Sequence, residues 1–169
     1  MGNLFTVVDE NDNIIWYKAK KDIDPINEYY RVSMLRLTNS QWDILIAQRA
    51  FTKSHNPGQR WPAVAGTVEQ WESYEDNIIK EMEEEIWLTG VPVTPWPKTK
   101  KDKKNEYHYF WQRFFATVDK DISEFTIQKD EVEAIKWISP EELKKDVEEH
   151  PENYLNNMKK YLTEFSKIY

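Results

Sequence analysis

The sequence predicts a single α/β (α+β) domain, because strand-like segments are mixed with three amphipathic helices and no internal repeat is present. A length of 169 residues suits one compact domain. Hydrophobic residues make up 40% of the chain and charged residues 31%, a balance typical of folded globular proteins rather than of disordered ones. We therefore treat residues 1–169 as one domain.

Strands are predicted where β-branched and aromatic residues lie between turn-forming segments. These strands are 5–8, 14–17, 29–37, 43–49, 107–118 and 134–138, with a short extended piece at 91–97. Loops are predicted at 51–60, which carries an Asn-Pro-Gly turn signal, and at the lysine-rich segment 98–105.

The clearest predicted helix covers residues 73–88. Ser73 is its candidate N-cap, and the acidic residues that follow favour the positive end of the helix dipole. Four apolar residues at helical spacing predict the face that packs on the core: Ile78, Ile79, Met82 and Ile86.

Two further helices are predicted near the end of the chain. Ser139 is a candidate N-cap, Pro140 stands at a favoured first helical position, and Glu142 completes a capping box. After Pro151, an amphipathic pattern predicts a last helix over residues 152–166.

Charge and composition exclude several classes of function. The chain has 23 basic and 30 acidic residues, a net charge of -7, which argues against general binding of nucleic-acid polymers. It has no cysteine, so disulfides, thiolate metal sites and cysteine nucleophiles are excluded. No segment approaches the about 20 apolar residues that span a bilayer, and the N-terminus does not resemble a secretory signal. We expect a cytoplasmic protein without a membrane partner.

Three glutamates suggest a metal site on the first helix. Glu81, Glu84 and Glu85 have i, i+3 and i+4 spacing, and each helical residue turns by about 100°, so the carboxylates share one side. Their mutual repulsion would be relieved by a divalent cation, and oxygen ligands suit Mg²⁺ or Mn²⁺. A solvated acidic face is the alternative for such a run taken alone.

The spacing of these glutamates to residues upstream resembles the Nudix box. That pattern is Gly, five residues, Glu, seven residues, Arg-Glu, an apolar residue, any residue, Glu-Glu, any residue, Gly and an apolar residue. Within residues 66–88 the matching positions are Gly66, Glu72, Glu81, Met82, Glu84, Glu85 and Leu88. The resemblance implies a Nudix-type α/β/α sandwich around a mixed β-sheet.

Two positions of the box depart from the pattern. Lys80 replaces the arginine and keeps its charge, but an ammonium cannot make the planar two-bond contact to a carboxylate such as Glu72. Trp87 replaces the glycine that permits a left-handed exit from the helix. We therefore expect the helix to continue for almost one more turn and to stop near Gly90.

The wider chain is similar to the isopentenyl-diphosphate-isomerase-like branch of the Nudix superfamily. The similar segments are 8–12, 48–50 with Lys53, 57–58 with Trp61, 130–132 and 137–143. The isomerase requires a catalytic cysteine just ahead of the box, and this chain has none. The sequence therefore argues against isomerase chemistry by that route.

The resemblance implies a Mg²⁺- or Mn²⁺-dependent hydrolase of a diphosphate linkage. The substrate would be a nucleoside diphosphate derivative or a nucleoside di- or triphosphate. The implied metal ligands are Glu81, Glu84, Glu85 and the backbone carbonyl of Gly66, while Glu72 and Lys80 support the box. Glu84 is our first choice among the box carboxylates, Glu81 included, for the catalytic base. Glu131 and Glu106 are alternatives, each of which is also an ordinary surface residue type.

Basic residues supply candidate phosphate ligands. Arg49 and Lys53 match diphosphate-binding positions of the isomerase-like branch, and cations beside an acidic metal site suit a phosphate chain. Arg31 is a weaker candidate of the same kind. For all three, an ordinary solvent-facing role is the alternative.

Aromatic and lysine-rich segments leave further choices open. Tyr107, Tyr109 and Trp111 can stack on a nucleobase or pack in the core. The lysines of 98–104 form either a solvated loop or a contact for an acidic partner. The expected partner is a small phosphorylated substrate, a nucleotide in the first place, and a homodimer is left open. A Nudix-fold module that binds a nucleotide or protein without hydrolysis is the rival to the enzyme.

Overall fold

The computed structural model describes residues 3–165, without the side chains of residues 164 and 165. Its strands are β1 (Leu4–Val8), β2 (Ile14–Ala19), β3 (Tyr29–Thr38), β4 (Ile44–Arg49), β5 (Arg60–Pro62), β6 (Ala65–Thr67), β7 (Thr94–Pro95), β8 (Thr99–Lys101), β9 (Tyr109–Thr117) and β10 (Val132–Ile138). Its helices are α1 (Tyr74–Ile86), α2 (Pro140–Glu149) and α3 (Met158–Phe165), with 3₁₀ turns at Lys20–Asp22, Ile122–Glu124 and Pro151–Asn153. The fold class is α+β, with a mixed sheet and few helices, as the sequence predicted.

The chain divides into two compact units. The first consists of the residues up to Leu35, Val64–Glu83 and Thr89–Ala116, and the second of Arg36–Ala63, Glu84–Leu88 and the residues from Thr117 on. The division passes through β3, α1 and β9, so each of these elements contributes residues to both units.

Antiparallel pairing organises the strands of the first unit. β1 pairs with both β2 and β3, and β9 pairs with β7 and β8. β6 pairs with β3, with Gly66 opposite Ser33. This pairing places the first residue of the box on a short strand, where the sequence had indicated no strand.

The second unit is built on β4. That strand pairs antiparallel with β10 along its length and with β5 on the other side. Leu45, Leu143 and Val147 are almost completely buried, so β4 and the apolar face of α2 supply core residues of this unit. β5 consists of three residues, Arg60–Pro62, and each of them pairs with β4.

Helix α1 buries one stripe of its surface. Ile78, Met82 and Ile86 are at most 2% exposed. Ile79 was predicted on the same face but is 46% exposed, and that assignment was wrong. Residues 78, 82 and 86 repeat every four positions, whereas Ile79 is turned about 100° from Ile78 and leaves the stripe.

Two further predictions about elements need correction. The loop predicted at 98–105 contains strand β8, which pairs with β9. The last helix begins at Met158 rather than at 152, because Pro151–Asn153 forms a 3₁₀ turn and Tyr154 is extended. Its predicted end at Ser166 lies outside the described residues. No helix among residues 3–165 combines the length and apolar character required to cross a bilayer.

Candidate active site

Helix α1 begins at a reciprocal cap. The Ser73 Oγ accepts a hydrogen bond from the Asp76 N–H at 3.0 Å, and the Asp76 carboxylate accepts from the Ser73 N–H at 3.0 Å. The predicted N-cap is thus confirmed, with an aspartate in the position that glutamate often takes in a capping box. The cap fixes where the loop from Gly66 ends and the helix carrying the glutamates begins.

Lys80 lies between two carboxylates of the box loop. Its Nζ is 3.0 Å from Glu72 Oε1 and 2.9 Å from Glu69 Oε2. Glu72 and Lys80, which were predicted to support the box, therefore form a direct ion pair. One ammonium makes a bond to each of two carboxylates here, which is how lysine occupies a position where the family pattern has arginine.

Buried polar groups hold the other oxygen of Glu72. Oε2 accepts from Asn77 Nδ2 at 2.9 Å and from the Glu69 N–H at 3.1 Å. The Asn77 Oδ1 in turn accepts from Ser33 Oγ at 2.5 Å, and both Asn77 and Ser33 are fully buried. Sequence reasoning missed these two residues. The available signal was a polar Asn beside Ile78 on the buried side of the helix.

The pKa values of this network follow from its contacts. Burial raises the pKa of Glu72, but the hydrogen bonds from Lys80, Asn77 and Glu69 outweigh it and leave the pKa below its ordinary value. Burial lowers the pKa of Lys80, but hydrogen bonds to Glu69 and Glu72 raise it more, so the net pKa is raised. Both groups therefore stay charged at neutral pH, and their ion pair links the loop before α1 to α1 itself.

Gly66 and Glu81 touch within the first unit. A Cβ atom placed on Gly66 would overlap the carboxylate of Glu81. The half-buried Glu81 side chain thus occupies the space that any other residue at position 66 would fill. A carboxylate beside a bare backbone segment is an all-oxygen donor set, which fits the chemistry of Mg²⁺ or Mn²⁺.

Helix α1 ends one residue before Trp87, so the predicted extension toward Gly90 was wrong. Trp87 itself adopts the left-handed conformation, with φ of 49°, and its side chain is 67% exposed. The indole projects into solvent, where no packing opposes this backbone conformation. A left-handed exit costs a bulky residue about 1–2 kcal/mol, which the rest of the box evidently outweighs. The box therefore keeps its usual helix exit without its glycine.

The end of α1 is bonded to the turn before β10. The Glu85 carbonyl accepts from the Gln128 N–H at 3.0 Å, and the Gln128 carbonyl accepts from the Glu131 N–H at 3.0 Å. Glu85 is half-buried and Glu84 is exposed. Two backbone hydrogen bonds thus connect a predicted metal ligand to Glu131, one of the alternatives for the base.

Glu131 also contacts the predicted phosphate-binding loop. Its Oε2 lies 2.5 Å from Lys53 Nζ, and its carbonyl accepts from the Ala50 N–H at 3.0 Å. Arg49 lies opposite Val132 in the β4–β10 pairing, and its Nε donates to the His55 carbonyl at 3.2 Å. In the second unit, backbone hydrogen bonds and strand pairing therefore connect Glu85 and Arg49 with the Lys53–Glu131 ion pair.

Two other predicted site residues have partners of their own. Arg31 donates to the Asp12 carboxylate at 2.7 Å and to the Asp12 carbonyl at 2.6 Å. Lys98 also pairs with Asp12, which is 8% exposed. Glu106 Oε2 lies 3.1 Å from Lys101 Nζ in the turn between β8 and β9. Arg31 contacts the box, since its carbonyl accepts from the Val68 N–H at 2.9 Å and its guanidinium lies 5.1 Å from the centre of the Tyr74 ring. The catalytic or binding roles of Arg31 and Glu106 stay predictions.

The aromatic strand mixes packing with exposure. The ring of Tyr109 lies 5.7 Å from that of Tyr30 and 6.1 Å from that of Trp111, centre to centre. Tyr107 precedes the strand and is 53% exposed. Burial raises the pKa of Tyr30 and of Tyr109, so both hydroxyls stay protonated at neutral pH. A role in stacking on a nucleobase stays a prediction.

The predicted metal ligands do not form a ready-made cluster. Among residues 3–165, no group of three or more His, Asp or Glu side chains is arranged to hold a metal ion. What the structure supplies is Glu81 against Gly66 in one unit and Glu85 bonded toward Glu131 and Lys53 in the other. Carboxylates can bind a metal cation and ammonium groups can bind a phosphate anion, and enzymes that act on phosphates use both kinds of group.

Comparisons with known proteins identify the family. A family model described as NUDIX domain matches residues 29–158. An uncharacterised Nudix hydrolase from Yersinia pestis is 24% identical over 157 residues, which covers 93% of this chain and 84% of that protein.

Solved structures show the same fold. The crystal structure of DR0079 from Deinococcus radiodurans has a TM-score of 0.82 at 20% identity, covering 95% of this chain and 98% of that one. A binary complex of the Ap4A hydrolase from C. elegans has a TM-score of 0.58 at 18% identity, covering 82% and 96%. With the family model spanning most of the chain, the protein belongs to the Nudix family and is by class a diphosphohydrolase.

Proposed function

We propose that the protein is a Mg²⁺- or Mn²⁺-dependent hydrolase of a nucleoside diphosphate derivative or of a nucleoside di- or triphosphate. The observation that carries the proposal is the hydrogen-bonded connection from Glu85 through Gln128 to Glu131, which is paired with Lys53. The connection joins the backbone of Glu85, a carboxylate residue on the box helix, to a residue paired with a cation suited to a phosphate, and this supports the proposal. A metal-dependent cleavage of a phosphoanhydride needs both kinds of group.

The metal would be held by Glu81, Glu84, Glu85 and the backbone carbonyl of Gly66. Bound there, a divalent cation supplies charge neutralisation of the phosphates and a more acidic water. The chain's own contribution is to hold Glu81 against Gly66 and to fix the loop between them through the Lys80 contacts.

The substrate phosphates would be bound by Arg49 and Lys53. Lys53 is half-buried and already pairs with a carboxylate, so a phosphate oxygen can replace that carboxylate without exposing new surface. The fixed guanidinium of Arg49 adds a second cationic group next to the start of β10. These two cations would orient the diphosphate toward the end of α1.

Glu84 and Glu131 are the two candidates for the catalytic base that the described contacts bear on, and Glu106 stays the third alternative. Glu84 is exposed on α1 and is our first choice. Glu131 gains support from its pairing with Lys53, because a phosphate that takes Lys53 would leave Glu131 unpaired beside the substrate. A carboxylate released in this way can accept a proton from the attacking water.

The remaining predictions belong to the same proposal. The natural ligand is a small nucleotide rather than a nucleic-acid polymer, residues 1–169 form one Nudix domain, and the protein acts in the cytoplasm. A structural neighbour is an Ap4A hydrolase, so dinucleoside polyphosphates join the candidate substrates. The binding-module alternative predicts affinity for such nucleotides without turnover.

A phosphate-release screen tests this function. Nucleoside di- and triphosphates, ADP-ribose, dinucleoside polyphosphates and nucleotide sugars are assayed with and without Mg²⁺, using the wild type, Glu84→Gln and Glu85→Gln. Glu83→Gln is the matched control, since Glu83 lies on the same helix, is exposed and has no assigned role. We expect turnover that needs Mg²⁺, falls in the first two variants and persists in the control. Equal turnover in all four proteins would refute the hydrolase, and tight binding without turnover would support the binding module.

A further inference from the structure

Strand β2 carries an unusual run of exposed apolar side chains. Ile14, Ile15 and Trp16 are 47%, 57% and 64% exposed. Leu4 and Trp71, which belong to the same unit, are 37% and 82% exposed. Single exposed apolar residues are ordinary, but a contiguous group of this size marks an interaction surface or an aggregation risk. The run has no part in the catalytic site described above.

This run lies on an open strand edge. Within residues 3–165, β2 pairs with β1 alone, so its other edge presents unpaired backbone groups. Proteins often blunt such an edge with lysine, but Lys18 of β2 is held by Glu28, with Nζ 2.5 Å from Oε1. A bulge opposite Val7 and Val8 disturbs the first residues of β2, and the pairing of Trp16 to Ala19 with β1 is regular.

A groove runs beside the same strand. It has a volume of about 470 Å³ and is lined by Leu4, Ile14, Ile15, Trp16, Tyr17 and Gln70. Four of the six lining residues, Leu4, Ile14, Ile15 and Trp16, are hydrophobic. Trp16 is both the largest exposed side chain of β2 and a wall of this groove. Each copy of the strand therefore has an exposed indole next to a groove, so the indole of one copy can pack against the groove of a second copy.

The charges at the two ends of β2 favour an antiparallel partner. Glu10, in the turn before β2, is exposed and acidic, while Lys20 and Lys21 follow the strand and are exposed and basic. When two copies meet antiparallel, the acidic end of each lies near the basic end of the other. A parallel arrangement would place like charges together. A two-fold axis produces the antiparallel arrangement with identical surfaces on both copies.

We propose that the protein forms a homodimer in which the β2 edges of two copies pack antiparallel about a two-fold axis. Trp16 of each copy is the central contact, and Glu10 faces Lys20 and Lys21 across the axis. Burial of Ile14, Ile15 and Trp16 supplies the main favourable free energy, since apolar area is removed from water on both sides.

The oligomeric state of the full chain tests this dimer. Sedimentation velocity and light scattering over a range of concentrations should show a monomer–dimer equilibrium. Trp16→Glu should raise the dimer dissociation constant by about thirtyfold or more, the effect expected for a central tryptophan. Trp42→Glu is the matched control, because Trp42 is 58% exposed and lies outside the β2 edge. Circular dichroism confirms that both variants fold.

A charge exchange tests the orientation. Glu10→Lys should weaken the dimer, and adding Lys20→Glu and Lys21→Glu should restore it. A wild type that stays monomeric at every concentration overturns the proposal, whether the edge is left bare or is covered by another protein. A dimer that survives Trp16→Glu also overturns it, since another surface must then be the interface.

Discussion

Lys53 Nζ lies 2.5 Å from Glu131 Oε2, which joins the loop after β4 to the residue before β10. The contact is reinforced by the hydrogen bond from the Ala50 N–H to the Glu131 carbonyl. Two residues that the sequence assigned to different roles, phosphate binding and proton transfer, are therefore one ion pair. If Lys53 binds the substrate as proposed, a phosphate and Glu131 would compete for the same ammonium.

Separate substitutions of this pair should affect different kinetic constants. Lys53→Met removes the proposed charged hydrogen bond to substrate and should raise KM by about 10- to 100-fold. Glu131→Gln keeps the shape but cannot accept a proton, and should lower kcat by about a hundredfold or more if Glu131 is the base. Steady-state kinetics on the best substrate measures both effects. Lys145→Met on the exposed Lys145–Glu149 pair is the control and should change neither constant. An unchanged kcat in Glu131→Gln excludes Glu131 as the base and leaves Glu84 and Glu106 as the candidates.

Gly66→Ala should weaken the proposed metal site without unfolding the protein. The added methyl group would overlap the Glu81 carboxylate and displace it. We expect affinity for Mg²⁺ to fall by about 10- to 100-fold, as when a group that positions a metal ligand is changed. The readout is the rise in melting temperature with Mg²⁺ concentration. At Gly90 an added Cβ meets no atom within 4 Å, so Gly90→Ala should keep the Mg²⁺ response despite its positive φ of 71°. An unchanged response in Gly66→Ala would remove position 66 from the site.

Lys80→Met should destabilise the fold by leaving Glu69 and Glu72 facing each other without a cation. Two charge-assisted hydrogen bonds are lost, and since the group is 31% exposed we expect a cost of about 1–2 kcal/mol. Urea unfolding measures this loss. Lys80→Arg retains the charge and should recover most of it, which separates the ion pair from packing of the side chain.

The cost of Lys80→Met should depend on pH. The pKa of Glu72 is below its ordinary value of 4.5, so its stabilisation is complete above that pH and is lost as pH falls through the lowered pKa. The pKa of Lys80 is above its ordinary value of 10.5, so its stabilisation is complete below that pH and is lost as pH rises further. The difference in unfolding free energy between wild type and Lys80→Met should therefore be constant from pH 5 to 10, a range that ends about half a pH unit inside each ordinary pKa. Below this range, in acid, the difference should shrink. A difference that grows in acid would contradict this assignment.

The sequence predicted most of the architecture, because its helices and long strands carry strong local signals. The Ser73 cap and the strands around Ile14, Tyr29 and Ile44 are confirmed. What it missed are elements of two or three residues, such as the strand containing Gly66, which form through pairing with distant residues rather than through local propensity. The last helix was placed too early because the pattern after Pro151 does not reveal that Tyr154 is extended.

For the candidate site, the spacing of residues in the sequence predicted which residues belong to the box, but it did not predict the contacts between residues far apart in the chain. The box pattern gave the supporting pair Glu72 and Lys80, and the structure adds Glu69 as the second partner of that lysine. Nothing in the linear sequence connects Lys53 with Glu131, which are 78 positions apart and meet through the β4–β10 pairing. Hydrogen bonds between residues so distant depend on the fold, which explains why sequence reasoning treated them as independent.

Trp87 offers a test of the backbone strain in the box. Its φ of 49° is unfavourable for any residue with a Cβ, whereas glycine adopts it freely. Because the indole is 67% exposed, its removal costs little packing. Trp87→Gly should therefore be more stable than Trp87→Ala by about 1 kcal/mol, even though glycine loses more conformational entropy on folding. Thermal unfolding of both variants beside the wild type measures the difference. If alanine is the more stable of the two, the left-handed exit at position 87 is not the conformation in solution, and the helix continues toward Gly90 as its sequence suggested.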